Sequence, residues 1–252
     1  RLVLPEFGES RADGDDVVVI DPATGTITSR IDLAPEATAV SGKTIQARPD
    51  RLVIAGGKVY VSLGNQDAMF AAAAEGRVVV IDPATDTITG HVDLTGLKGC
   101  SAMYHLVATN TLYVACGGSF ADADQAAASG VAEIDLAATP PVLKRTTLAS
   151  RLDGQAVNFS WVAAVSDTRA FAATLGKFPP LRSTDPGTND ATFAFDPTAH
   201  SPTKLPVTAG AFDLGRAALG EVKLFVPDAT FDMPRIHVLT VPATGDVVEA
   251  AV

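Results

Sequence analysis

The most informative pattern in the sequence is a run of β-branched residues that ends in a polar turn and resumes as alternating Thr and Ile. It reads VVVIDPATGTITSRIDL over residues 17–33 and returns as VVVIDPATDTITGHVDL over residues 78–94. The apolar run predicts a strand, and Asp-Pro-Ala-Thr predicts a turn in which the Asp carboxylate caps the backbone. Because the alternation that follows predicts a second strand, each copy is predicted to be a β-hairpin.

Weaker copies of the same hairpin begin at Val131, Thr192 and Ile236. The turn residue in the five copies is Asp21, Asp82, Asp135, Asp196 and, in the last copy, Val241. A further pair of strands precedes each hairpin, most clearly over 52–63, where Gly56-Gly57 marks a tight turn. The repeating unit is therefore four strands long. Its predicted limits are 1–33, 51–94, 102–149, 160–209 and 220–252.

Repeated units of four antiparallel strands predict an all-β protein with the β-propeller fold. The strands VVVI and IAGGKVYV are apolar on both faces, as expected when neighbouring blades cover both sides of a sheet. We predict one domain over 1–252. The first unit has no inner strand ahead of residues 2–7, so we expect a section of a longer chain whose further blades complete a six- or seven-bladed ring. Pairing of residues 2–7 with a strand of the last unit would contradict this expectation.

Three phrases carry a family resemblance: KVYVSLG, LYVAC and VVVIDPATGTIT. They resemble the YVTN-type β-propeller repeat of bacterial extracytoplasmic and surface-layer proteins. The resemblance covers nearly the whole chain and is strongest in the first two units. It implies the fold and a location outside the cytoplasm (periplasm, cell surface or secreted), but it implies no particular activity.

The charge of the chain excludes some classes of partner. The net charge is -10 and the isoelectric point is near 4.7, with Lys and Arg scattered along the chain rather than in runs. Nucleic acid and anionic membrane surfaces need clustered basic residues, so neither is an expected partner. No apolar run approaches the roughly 20 residues of a membrane-spanning helix. Since the sequence opens at Arg1 without a leader, we expect either a removed signal peptide or a longer parent chain.

The two cysteines flank a predicted hairpin that turns near Thr109-Asn110. Cys100 and Cys116 would meet at its open end, where a disulfide would indicate an oxidising compartment. Two small buried thiols are the alternative.

The long loops predict where binding occurs. With strands named A to D from the axis outward, the A-to-B and C-to-D turns are short and the B-to-C loops are long, and all B-to-C loops emerge on one face. Long loops on a rigid scaffold commonly carry function. Their acidic, amide and large apolar residues suit a protein or glycan contact, although solubilising carboxylates and apolar side chains packed on their own blades are the plain alternative. The candidate binding residues are Asp13, Asp15, Asp16, Asn65, Asp67, Phe70, Phe120, Asp122, Asp124, Phe178, Arg182, Asp185, Asp190, Asp228, Phe231 and Asp232.

The sequence contains no recognisable catalytic motif. It has no G-x-S-x-G elbow and no phosphate-binding glycine loop, and its four His residues fall at unrelated repeat positions. Asp13, Asp15 and Asp16, or Asp122 and Asp124, offer the oxygen ligands that Ca²⁺ takes, but neither set has EF-hand spacing. Calcium stays open and no other cofactor is expected.

These observations favour an extracytoplasmic propeller that acts as a binding or structural scaffold. One alternative is a hydrolase or lyase with a divalent cation at the central channel, for which the nearest residues are Arg48, Asp50, Tyr104, His105, Asn158, Trp161, Asp213 and Arg216. A second alternative is a subunit of a surface assembly. The sequence does not determine the oligomeric state.

Overall fold

The structure, a computed structural model, describes residues 2–5, 15–119, 127–152, 158–175, 191–205, 213–216, 222–228, 235–242 and 245–249. These residues form five antiparallel sheets, and in each sheet the strands follow one another in chain order. Each sheet is one blade, numbered here 1 to 5 along the chain.

The blades are made of 19 strands. Blade 1 contains β1 (Leu2–Pro5), β2 (Asp16–Asp21) and β3 (Thr26–Asp32). Blade 2 contains β4 (Pro49–Ala55), β5 (Lys58–Leu63), β6 (Glu75–Asp82) and β7 (Thr87–Lys98). Blade 3 contains β8 (Cys100–Leu106), β9 (Thr111–Gly117), β10 (Ser129–Asp135) and β11 (Val142–Leu148).

Blade 4 contains β12 (Asn158–Ser166), β13 (Arg169–Leu175), β14 (Ala191–Phe195) and β15 (Thr203–Lys204). Blade 5 contains β16 (Asp213–Arg216), β17 (Val222–Asp228), β18 (Arg235–Val241) and β19 (Val248–Glu249). The helical segments are one-turn pieces: α1 (Ala149–Leu152) and the 3₁₀ turns Ala34–Glu36 and Val107–Thr109.

The prediction of a sheet covered on both faces is confirmed by the packing of β6. Val78 and Val80 belong to an apolar core shared with blade 3, whereas Val79 and Ile81 belong to one shared with blade 1. Two further cores join blade 3 to blade 4 and blade 4 to blade 5. Each core therefore lies between consecutive blades, as blade-on-blade packing in a propeller requires.

The predicted turn chemistry is also confirmed. The Asp21 carboxylate accepts a hydrogen bond from the Ala23 amide at 2.9 Å. Asp82, Asp135 and Asp196 cap their own turns in the same way, with acceptor distances of 2.8, 2.8 and 2.6 Å. The turn Asp thus satisfies a backbone donor that the hairpin itself leaves without a strand partner.

A disulfide joins Cys100 to Cys116, as the spacing predicted. The two residues are direct partners on β8 and β9, and both are fully buried. A disulfide is typical of an oxidising, extracytoplasmic environment. The alternative of two buried thiols is therefore wrong.

The first and last blades differ in strand number. Blade 1 has three strands, and among the described residues β1 pairs only with β2. Blade 5 has an inner strand at Asp213–Arg216, which lies ahead of the predicted limit at residue 220. The number of blades in a complete ring stays a prediction.

Candidate functional site

The two faces of the blades differ in how much of the chain they carry. We call the face that bears the B-to-C and D-to-A connections the loop face, and the face that bears the A-to-B and C-to-D turns the turn face. Of the B-to-C loops on this face, the structure describes residues 64–74, between β5 and β6, in full. We call it the blade 2 loop.

The blade 2 loop is anchored by backbone hydrogen bonds to the segment that leads into β4. Gln46 and Gln66 exchange a reciprocal pair at 2.9 and 3.1 Å, and the Asn65 amide donates to the Ala47 carbonyl at 3.0 Å. The Asn65 side chain, fully buried, donates to the Glu75 carbonyl at 2.8 Å. The base of the loop is therefore fixed relative to the inner strand.

Arg48 forms the floor beneath this loop. It is 2% exposed, its guanidinium donates to the Asp67 carbonyl at 3.0 Å, and its Cζ lies 4.1 Å from the centroid of the Phe70 ring. Burial lowers the pKa of Arg48, and the charges of Asp15 and Asp67 oppose that shift. A cation held between carboxylates and an aromatic face joins the loop to the inner strand of blade 2.

Asp15 holds the start of β4 from blade 1. Its two carboxylate oxygens accept hydrogen bonds from the Ala47 amide at 2.9 Å and the Arg48 amide at 3.0 Å. This predicted binding residue therefore has a structural role in setting the position of Arg48.

Replacing Asp15 with Ala should lower the free energy of unfolding by about 1–3 kcal/mol, because two backbone amides lose their acceptor in a partly buried place. Urea denaturation measures the change. The matched control is Asp32→Ala, since that carboxylate accepts one exposed amide bond, from Ala34 at 2.9 Å. Equal losses in the two variants would contradict the structural role of Asp15.

Three of the six described non-glycine residues with a positive φ lie at the same place. Arg48, Asn65 and Phe70 have φ of 48°, 46° and 56°, in the left-handed region. Such residues cost of order 1–3 kcal/mol each and cluster where function requires an unusual backbone. Their meeting around one loop marks the blade 2 loop as a candidate site.

The tip of the blade 2 loop presents apolar surface beside a carboxylate. Met69 is 81% exposed and Phe70 is 37% exposed. The Asp67 carboxylate accepts the Ala71 amide at 2.7 Å. Although desolvation opposes the change, hydrogen bonds from the backbone of Ala72, Ala71 and Met69 lower the pKa of Asp67. Asp67 is therefore a stable anion next to an exposed thioether and ring.

The inner strands form a second polar grouping at the central channel. Blades 2, 3 and 4 each have a register irregularity near the loop-face end of the inner strand, at Pro49/Leu52, Cys100/Met103 and Phe159/Trp161. Such bulges redirect side chains. Arg51 of blade 2 lies 5.0 Å from the ring of Trp161 on blade 4, and these two blades are not neighbours. Their contact therefore crosses the channel side of blade 3.

Two members of the predicted channel set, Tyr104 and Trp161, pack against the same apolar cores. Burial raises the pKa of Asp50, and the adjacent Arg51 opposes the shift. His105 instead contacts the Asn110 carboxamide at 3.0 Å, at the turn-face end of blade 3. Sequence reasoning missed Arg51, because no local pattern signals a contact between strands of separate blades.

Other predicted residues have partners inside the chain or lie elsewhere. Asp16 is 7% exposed and pairs with Arg30 at 2.9 Å. Asp228 is the last residue of β17. The binding roles of these residues stay predictions. The predicted residues outside the described part of the chain are Asp13, Phe120, Asp122, Asp124, Phe178, Arg182, Asp185, Asp190, Phe231 and Asp232.

The described part of the chain contains neither a cluster of metal-ligating side chains nor a helix that could span a membrane. No three His, Cys, Asp or Glu side chains there lie close enough together to ligate a metal ion. Calcium binding by the loops outside that part stays a prediction. The described helices are all too short or too polar to span a bilayer.

Comparison with known proteins identifies the fold. No protein-family model matches the chain, and no curated protein matches it. Among solved structures, the periplasmic gluconolactonase PpgL of Pseudomonas aeruginosa superposes with a TM-score of 0.59 at 15% identity, over 99% of this chain and 66% of that one. Hydrazine synthase of Kuenenia stuttgartiensis gives 0.52 at 14% identity, over 94% of this chain and 60% of that one.

The β-propeller domain of the Trilobed protease from Pyrococcus furiosus gives a TM-score of 0.43 at 10% identity, over 81% of this chain and 56% of that one. The chain thus spans about 60% and 66% of the length of the first two structures. Likeness at these identities concerns architecture alone. The five sheets and the cores between them, together with the likeness to the first two structures, show that the chain has the β-propeller fold.

Proposed function

We propose that the chain is an extracytoplasmic β-propeller of the YVTN type that binds a protein or glycan through its loop face. The observation that carries this proposal is the blade 2 loop. Buried Arg48 lies against the Phe70 ring, and Arg48, Asn65 and Phe70 all have a left-handed backbone beside the exposed Met69. A rigid, partly apolar tip loses little entropy on binding, which favours recognition over a purely solubilising role.

Site-specific photo-crosslinking tests a protein partner. A benzophenone amino acid at Met69 should crosslink to a partner chain in the producing cells, because this side chain projects from the loop face. The matched control is the same amino acid at Val107, which is 77% exposed and lies on the turn face of blade 3. We expect an adduct from position 69 and none from position 107.

A glycan partner would give no protein adduct, so a glycan array completes the test. Binding should weaken in Phe70→Ser and persist in Val107→Ser, because only the former removes an aromatic face that can stack on a sugar ring. Equal crosslinking from both positions, or neither adduct nor glycan binding, would refute the proposed loop-face function.

Two other functions are weaker candidates. A hydrolase or lyase site at the channel is favoured by the raised pKa of Asp50 beside Arg51, whose guanidinium lies against the Trp161 ring. An ion bound on the axis with several oxygen ligands would support it. A subunit of a surface assembly would instead show repeated contacts between copies of the chain. For either function, crosslinking from position 69, compared with position 107, reports whether another molecule covers the loop face.

A further inference from the structure

A cavity opens between blades 2 and 3 on the turn face, opposite the proposed binding loops. Its volume is about 670 Å³, and its walls include Tyr60, Val80, Gly90, Leu136 and Pro141. We call it the interblade cavity. Cavities of this size accommodate small organic molecules.

The repeat shows why the cavity lies beside blade 2. The hairpins of blades 1 and 2 are nearly identical, but Ser29-Arg30 in the first is replaced by Gly90-His91 in the second. Gly90 lines the cavity, and a Cβ built on it meets no atom within 4 Å. The absence of a side chain at Gly90 therefore leaves open space at the cavity wall.

The opposite wall is formed by the outer turn of blade 3. Residues 136–141 connect β10 to β11, whereas the corresponding turns of blades 1 and 2 are the shorter segments 22–25 and 83–86. Leu136, Ala138, Pro140 and Pro141 of this turn line the cavity. The longer turn therefore gives the cavity an apolar wall that the other two hairpins cannot supply.

The polar groups that line the cavity include two hydrogen-bond donors, Lys58 and Tyr60, beside Thr89, His91, Asn110 and Thr139. Lys58 and Tyr60 both line it, and the Lys58 ammonium lies 2.7 Å from the Asp82 carboxylate. Tyr60 is 5% exposed, and no hydrogen bond joins its hydroxyl to another described residue. An ammonium and a phenol at the edge of apolar walls suit a carboxylate attached to an apolar body.

We propose that the interblade cavity binds a small organic acid with an apolar body, such as a medium-chain aliphatic carboxylic acid. The apolar part lies against Val80, Leu136 and Pro141, and the carboxylate accepts from Lys58 and Tyr60. Asp82 competes for Lys58 and thereby limits the affinity. This site is separate from the loop face, so either proposal can fail alone.

Fluorescence titration tests the site with cis-parinaric acid, a fatty acid that becomes fluorescent in apolar surroundings. The blocking variant is Gly90→Leu, which adds a side chain at the cavity wall where a Cβ meets no atom within 4 Å. We expect saturable binding to the parent protein and a loss of at least about tenfold in Gly90→Leu, equivalent to about 1.4 kcal/mol. The matched control is Ser29→Leu, the same position of blade 1, which should bind like the parent.

Competition identifies the head group. Decanoic acid should displace the probe better than 1-decanol, and Asp82→Asn should improve decanoic acid several-fold while leaving 1-decanol unchanged. Asp21→Asn is the control, because it removes the same charge from the same turn of blade 1. Parent-like binding by Gly90→Leu, or no saturable binding, overturns the site. Equal competition by acid and alcohol, unaffected by Asp82→Asn, overturns the assignment to carboxylic acids.

Discussion

Replacing Arg145 with Met should lower the free energy of unfolding by about 3–5 kcal/mol at pH 7, because it leaves a buried carboxylate without its cation. Glu133 is 1% exposed at the contact of blades 3 and 4, and its Oε1 lies 3.1 Å from Arg145 Nε. Arg145 also donates to the Thr198 hydroxyl of blade 4. Loss of this side chain therefore removes the partner of Glu133 and a bond between the two blades.

The loss should depend on pH. Burial raises the pKa of Glu133 above its ordinary value of 4.5, while Arg145 and Lys144 oppose the shift. A carboxyl with a raised folded-state pKa stabilises the fold below its unfolded pKa, and this contribution is lost as the pH rises through the folded pKa. Arg145→Met raises the folded pKa further. Apart from the lost bond to Thr198, which does not depend on pH, the difference from the parent protein should therefore be small near pH 4.5 and reach its full size at neutral pH.

Chemical denaturation of parent and variant at several pH values measures this difference. The matched control is Lys144→Met, which removes an exposed cation next in sequence and should change stability by less than about 1 kcal/mol. Adding Glu133→Gln to Arg145→Met should recover part of the loss at pH 7 and remove its pH dependence. If Arg145→Met lowered the free energy of unfolding by the same amount at pH 5 and at pH 8, Glu133 would not be the cause of the loss.

Reducing the disulfide should cost about 3 kcal/mol of stability, as expected for a bridge that closes a loop of this length. The bridged residues lie 16 apart in sequence and join β8 to β9 in the middle blade. Urea denaturation with and without a thiol reductant measures the change. The control is the double variant Cys100→Ala, Cys116→Ala, which should be insensitive to the reductant. Coincident curves for the oxidised and reduced parent would contradict this prediction.

A neighbouring glycine provides a second test of the bridge. A Cβ built on Gly76 would lie 2.2 Å from Cys100 Sγ, closer than packed atoms allow. Gly76→Ala should therefore destabilise the parent protein more than it destabilises the variant in which both cysteines are Ala. The two effects differ because the variant without cysteines lacks the sulfur atom that obstructs the new methyl group at position 76 in the parent protein.

Features with a local cause were predictable from the sequence. The Asp-capped turns, the Gly56-Gly57 turn and the apolar run of β6 each depend on residues close together in the chain, and the structure confirms them. The disulfide was predictable for the same reason, since its cysteines end one hairpin.

The polar contacts between blades were not predictable. Glu133 looks like any polar residue in an alternating strand, and nothing near it in sequence indicates that a neighbouring blade buries it. Arg48 likewise gives no sign that Phe70 will cover its guanidinium or that Asp15 will hold its backbone. These contacts depend on how blades and loops meet, which a single unaligned sequence does not encode in any short pattern.

The Asp caps within the outer hairpins also have a consequence for the order of folding. Each cap joins residues two positions apart, so each of these hairpins can form before any blade has met its neighbour. Isolated hairpins form within about 1–10 μs, far faster than long-range docking. Because each of the four apolar cores in the described part of the chain joins consecutive blades, docking can then proceed along the chain from any of several starting points. A newly made segment could thus begin to fold before the following blade has left the ribosome or export channel.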